Sequence, residues 1–274
     1  MYEVTLSYFS ALARNKADIV NEHPAAFVIS AMMAGAYIGL GIILIFSVGA
    51  LVDPAFQKLV MGASFGIALT LVVFAGAELF TGHTMYMTIG CCRGITTGSE
   101  LLRVWSVSWI FNLVGAVLLA LLFIMGGGGV LTHEGALLLN QVASYKMNSS
   151  ATELLARGAL CNWLVCLALW MCARTKSDTA KTILIFWCLF AFIASGYEHS
   201  IANMTLLSIA LLGEPNQLIT LSGMAHNLIW VTLGNIIGGA VFMGLGYLRA
   251  SPQPTTPQNS IESEETTSLN TPQQ

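Results

Sequence analysis

Six apolar stretches, at about 25–48, 59–90, 104–125, 155–173, 183–212 and 225–248, are each long enough to cross a bilayer, whose hydrocarbon core of about 30 Å needs roughly 20 helical residues. They confine the chain to an all-α membrane fold with six transmembrane helices, because lipid offers a backbone N–H or C=O no partner outside a helix or a closed barrel. Charge content agrees: 9% of the 274 residues are charged, against roughly 25% in a soluble domain. Lys and Arg set the orientation. With the N-terminus inside, the inner segments hold Arg14, Lys16, Arg93, Arg103, Arg174, Lys176, Lys181 and Arg249, and the outer loops only Lys58, Lys146 and Arg157. Both termini are therefore expected on the cytoplasmic side.

The segments flanking this transmembrane domain (25–250) are different. In residues 1–24, Leu6, Phe9, Leu12, Ala13, Lys16, Ile19 and Val20 recur at helical spacing, which predicts a short amphipathic helix on the membrane surface and no cleavable signal. Residues 251–274 are rich in Pro, Thr, Ser and Gln and hold Glu262, Glu264 and Glu265, the composition of a solvated, disordered tail. The six cysteines are scattered apart from the doublet Cys91-Cys92, and Cys161, Cys166, Cys172 and Cys188 lie in apolar runs, where a thiol behaves as a small hydrophobe. They predict no disulfide framework, and no metal or cofactor is expected.

The second and fifth stretches are interrupted by a glycine followed by a carboxylate. One reads Gly76-Ala77-Glu78-Leu79-Phe80-Thr81-Gly82-His83, the other Gly196-Tyr197-Glu198-His199-Ser200-Ile201-Ala202-Asn203. The next stretch then carries Asn112-Leu113-Val114-Gly115-Ala116 in one half and Asn235-Ile236-Ile237-Gly238-Gly239 in the other, 34 residues after Glu78 and 37 after Glu198. Matched features in one order predict a duplicated three-span unit, about 25–125 and 155–248. An odd number of spans inverts the second copy, an architecture that places the site where discontinuous helices meet.

Irregular chain at membrane depth is tolerated only against protein or a watery cavity, so the breaks point to a pore. A half-helix starting beyond each break offers free N–H groups and a positive dipole end to an anion. Glu78 and Glu198 are expected to brace the breaks, since an ionised carboxylate in the lumen would repel an anion. His199, an ionisable group inside a span, is a functional candidate with an unperturbed pKa of about 6.5; the first half has Leu79 in its frame and Thr81 two residues on. His23, His83, His133 and His226 are expected to be surface or interfacial. Lys146 and Arg157 stand in a charge-poor outer region, where a cation either concentrates anions at a pore mouth or simply snorkels. Phe65, Leu69, Leu79, Phe80 and Phe192 lie near the breaks in sequence, as constriction or as ordinary packing.

The two break motifs, together with Gly158-Ala159-Leu160-Cys161-Asn162-Trp163, the run on to Met204 and Gly234-Asn235-Ile236-Ile237-Gly238-Gly239, resemble the signatures of the formate/nitrite transporter family over roughly residues 5–250. The segment Thr81-Gly82-His83-Thr84-Met85, the short loop after Leu212 and the compact length resemble its nitrite-channel branch. The resemblance implies an aquaporin-like protomer in a homopentamer of the bacterial inner membrane, with one pore per protomer. On the matching positions His199 and Thr81 would form the central polar site, and Asn162 and Asn235 would line or brace it. Phe65, Leu69, Leu79, Phe80 and Phe192 would narrow the path, and Lys146 would sit in the outer vestibule. The substrate expected is nitrite or another small monovalent anion, protonated at His199, with a formate or monocarboxylate channel as the alternative.

Other classes fit less well. There is no Asn-Pro-Ala pair of an aquaporin and no evident pair of pore histidines for ammonium. An intramembrane metalloprotease would need a metal-ligand helix of the His-Glu-x-x-His kind, and the adjacent Glu198-His199 lacks that spacing. No enzymatic activity and no nucleic-acid partner are expected.

Overall fold

The computed structural model describes residues 2–133, 135–213 and 215–251, and among these residues all regular structure is helical. The expected tail lies outside the described residues from 252 onward. Five helical runs are long and apolar enough to cross a membrane: Pro24–Gly49, Gln57–Ala75, Gly98–Met125, Ala151–Cys172 and Leu221–Ala250. The remaining expected stretch is divided by its break into helices of 17 and 13 residues.

In chain order the helices are α1 (Glu3–Glu22), α2 (Pro24–Gly49), α3 (Gln57–Ser64), α4 (Gly66–Ala75), α5 (Phe80–Cys92), α6 (Gly98–Met125), α7 (Ala136–Asn148), α8 (Ala151–Cys172), α9 (Asp178–Ala194), α10 (Ser200–Leu212), α11 (Leu221–Ile236) and α12 (Gly246–Ala250). A π-helical segment, Ile237–Leu245, joins the last two. Pro24 at the start of α2 lacks the N–H that would go unpaired there. Capping boxes, Thr97 with Glu100 and Ser150 with Glu153, start α6 and α8 and satisfy amides left open at a helix start.

Small residues let the long helices touch. A Cβ on Gly35 would lie 2.0 Å from the Asn112 carbonyl oxygen, and one on Gly115 would lie 1.9 Å from that of Met32, so α2 and α6 meet backbone to backbone. Helix α8 meets α11 and the π-helical segment in the same way, with Gly234 of α11 against the Leu155 oxygen at 2.3 Å and Gly238 of the π-helical segment against that of Ala159 at 2.2 Å. Such approach is the usual means of association where water supplies no driving force. Neither backbone can yield at Gly115, so Gly115→Ala is expected to cost about 2 kcal/mol or more. Thermal unfolding in detergent checks it against Gly98→Ala, whose Cβ would meet nothing within 4 Å.

Polar side chains are buried within an otherwise apolar interior, and the outside is apolar too. Asn112, Asn162, Asn227, Asn235 and Thr81 are fully buried, whereas Ile29, Leu102, Leu122, Trp187 and Ile229 are all more than half exposed. Helix α1 does not simply rest at the surface: Leu6, Phe9, Ala13, Ala17 and Val20 are buried against the protein, and Phe9 stacks between Tyr86 and Trp170. Ion pairs fasten it, Arg14 to Glu100 at 2.6 Å and Arg93 to Glu3 at 2.5 Å. The Arg93 guanidinium, by its hydrogen bond, holds the Glu3 carboxyl below the usual carboxylate range.

Candidate functional site

Each break turns on a glycine with positive φ, 76° at Gly76 and 74° at Gly196, a conformation that costs a residue with a Cβ about 1–2 kcal/mol. Beyond the breaks the chain restarts as α5 and α10, half-helices of 13 residues each. A matching asparagine ties down each break. Asn112 donates through Nδ2 to the Ala31 and Glu78 carbonyls at 2.7 and 2.9 Å and accepts the Phe80 N–H at 3.0 Å. Asn235 donates to the Gly158 and Glu198 carbonyls at 2.8 and 3.0 Å and accepts the Ser200 N–H at 2.9 Å. The amide of each acid is held too, Glu78 by the Ser30 carbonyl and Glu198 by that of Arg157, both at 3.3 Å.

Both carboxylates are buried and paired. Glu78 accepts from Lys16 at 2.5 Å and contacts His83 Nε2 at 2.8 Å; Glu198 accepts from Lys146 at 2.7 Å and from Asn203 at 2.6 Å. His83 and Asn203 each stand five residues after their acid. His83 is 1% exposed, unlike the surface position its sequence context suggested. The equal Glu-to-His and Glu-to-Asn spacing was the signal for it. An apolar-run histidine in that register has a carboxylate one turn away.

Two cavities reach these acids from opposite ends of α8. One, of about 690 Å³, is lined by Lys16, Lys176, Lys181, Glu78, Leu69 and Leu79, among others. The second, about 520 Å³, includes Lys58, Lys146, Arg157, Phe192, Glu198 and His199. The first touches α8 at Leu169 and Cys172 and the second at Arg157, a separation of about 20 Å along the helix at 1.5 Å per residue.

Between them lies a buried polar contact, His199 Nε2 to Thr81 Oγ1 at 3.2 Å, which joins the two halves of the chain. His199 also caps α10: the Ala202 N–H donates to its Nδ1 at 3.1 Å. A backbone amide can only donate, so Nδ1 keeps its lone pair and the proton of the neutral ring sits on Nε2. Nε2–H therefore donates to Thr81 Oγ1, whose own hydroxyl hydrogen meets no further acceptor among the described residues. Phe192 stacks on the His199 ring, centroids 6.0 Å apart, and Phe65 meets Phe192 edge-on at 5.5 Å.

The remaining expected residues separate into bracing and packing positions. Asn162 bonds the Asn235 carbonyl at 2.6 Å, Thr84 Oγ1 at 2.9 Å and the Thr81 carbonyl at 3.2 Å, so it fixes the backbone behind Thr81. Leu69 and Leu79 line the first cavity and Phe192 the second. Phe80, one residue beyond Leu79, points about 100° round the start of α5. It packs edge-on against Trp105 and lines a groove with Trp109 and Thr232 instead of either cavity.

An all-helical membrane protein with a cavity on either side of a buried polar pair belongs to the class of channels and transporters. The formate/nitrite transporter family model matches residues 5–249, and this chain belongs to that family. The nitrite transporter NirC of Salmonella typhimurium is 51% identical over 257 residues, which cover 94% of this chain and 95% of that protein. A solved FNT family ion channel superposes with a TM-score of 0.89 at 52% identity, covering 91% of this chain and 100% of that one. A pentameric formate channel with formate bound gives 0.70 at 29% identity, over 82% of this chain and 96% of that one.

Proposed function

We propose that this protein conducts nitrite and other small monovalent weak-acid anions through a pore that joins the two cavities past His199 and Thr81. The observation that carries this reading is the buried 3.2 Å contact of His199 with Thr81 between them. An anion entering there can accept from both Nε2–H and the Thr81 hydroxyl, two donors held in place before it arrives. Phe65, Leu69, Leu79 and Phe192 narrow the path on either side, Lys146 stands in the outer vestibule, and Glu78 and Glu198 brace the breaks.

A bare anion between apolar walls loses hydration at high cost, and a proton removes its charge. Nε2 passes its proton to the anion, which becomes the neutral acid, while Nδ1, released by the Ala202 amide, takes a proton from a vestibule hydronium ion and leaves water; once the acid has departed, water carries the Nδ1 proton back to Nε2. The ring then returns to its starting tautomer. Two further features belong to the same reading. The identical bonding of Asn112 and Asn235 supports two inverted three-helix repeats, six spans in all, and the family supports a homopentamer. Lys16, Lys176 and Lys181 around the first cavity support a cytoplasmic inner vestibule, with both termini inside a bacterial inner membrane.

Purified protein in proteoliposomes is expected to move nitrite above the rate of empty vesicles, faster with the receiving side alkaline; equal rates would refute the reading. Formate is the second substrate to test, because two donors facing one small planar anion do not distinguish its central atom. Competition between the two anions separates a nitrite channel from a monocarboxylate channel.

A further inference from the structure

We infer that Arg157 forms a docking subsite for planar oxyanions in the outer vestibule, a step before the central pair; this rests on the reading just given. The cavity of about 520 Å³ has three cations on its wall: Lys58, Lys146 and Arg157. Lys146 is neutralised, since Glu198 accepts from it at 2.7 Å and both side chains are largely buried. Lys58 stands exposed at the rim. Arg157 is different from both.

Its side chain is 24% exposed, and its one ion pair among the described residues is Nη2 to Glu153 at 3.4 Å, well beyond the 2.7–2.9 Å typical of a charge-assisted bond. Glu153 is already committed, accepting from the Ser150 amide and hydroxyl with its other oxygen at 3.1 and 3.0 Å. Nη1 is buried and bonds to no described residue, and a buried charged donor without an acceptor is costly. The guanidinium lies over the Tyr145 ring, 5.2 Å from its centroid, which holds its plane. The Arg157 carbonyl accepts the Glu198 amide at 3.3 Å, so the residue is anchored at the level of the break.

A fixed, weakly hydrated fork with spare N–H groups suits an anion that presents two oxygens in one plane, such as nitrite, nitrate or formate. A spherical halide must share one point between the two N–H donors, whereas a planar oxyanion gives each donor its own oxygen in a parallel pair. The inner half holds no counterpart, because the residue whose carbonyl accepts the Glu78 amide is Ser30. The subsite therefore belongs to the outer mouth alone.

The test is anion binding to the purified full-length protein, read as the rise in melting temperature with sodium nitrite or sodium bromide. Wild type should be stabilised at lower nitrite than bromide concentration. Arg157→Ser, which copies the inner half, should raise the nitrite concentration needed by about tenfold. Arg157→Lys keeps the charge and removes the fork, so it should bind bromide like wild type and lose the nitrite preference. Arg249→Ser, which removes an exposed cation that lines neither cavity, should bind both like wild type. Wild-type nitrite preference in Arg157→Lys, or unchanged binding in Arg157→Ser, overturns the subsite while leaving nitrite conduction standing. A wild-type protein that neither moves nitrite nor is stabilised by it overturns both. If the serine variant does not fold, the lysine variant decides.

Discussion

Replacing His199 with asparagine is expected to cut nitrite uptake driven by a pH gradient about a hundredfold, the scale on which a positioned proton donor acts, while leaving the protein folded. The two jobs of the ring make this substitution informative. Nδ1 accepts the Ala202 N–H at the start of α10, and Nε2 donates to Thr81 across the interface of the halves. Asparagine is among the best helix N-caps, so it can keep the first job, and it has no proton to exchange. His199→Phe removes both and is expected to lose about 1 kcal/mol of stability as well. Flux into proteoliposomes at several imposed gradients, beside melting curves of the same preparations, distinguishes the two effects. Undiminished gradient-driven uptake in the asparagine variant would sink the proton step and leave His199 as a cap and a hydrogen-bond donor.

The largest expected effect on stability lies at Asn235. Asn235→Leu strands three buried backbone groups at once, the carbonyls of Gly158 and Glu198 and the amide of Ser200. Each unsatisfied group costs about 1–3 kcal/mol, so a loss of about 5 kcal/mol is expected, a large part of a stability of roughly 5–15 kcal/mol. Asn112→Leu strands the corresponding three groups and is expected to do equal damage. Yield from membranes and melting temperature in detergent measure both. A melting temperature within a few degrees of wild type for either variant would show that water or a shifted backbone satisfies the break. Aspartate at 235 is no remedy, since an ionised carboxylate can accept from Ser200 but cannot donate to the two carbonyls.

The expected breaks at Gly76 and Gly196 were legible because glycine is the residue that takes positive φ freely and because a carboxylate in an apolar run needs an explanation. The pairing of each break with an asparagine was half legible. Asn112 and Asn235 stood out as matched, yet the resemblance offered lining or bracing for Asn235 without deciding between them, and the hydrogen bonds put it behind the break. Asn162 likewise holds the Thr81 carbonyl and Thr84. His83 was passed over although its five-residue spacing from Glu78 was legible, since nothing local shows that Lys16 of α1 reaches the same carboxylate inside the protein.

The sequence alone determined the features that depend on neighbours along the chain. Helix lengths follow from apolar runs measured against the bilayer, the breaks from glycine stereochemistry, and the polar caps from hydroxyl-to-glutamate spacing. Only the tertiary structure decided what depends on distant residues: that Thr81 meets His199 from 118 residues away, that Lys16 reaches Glu78 across 62, that α1 is packed against the protein, and that Phe80 faces away from both cavities. Periodicity records which face of a helix is apolar. It does not record whether lipid, another helix or an open cavity covers that face, because those three surroundings reward the same apolar side chains.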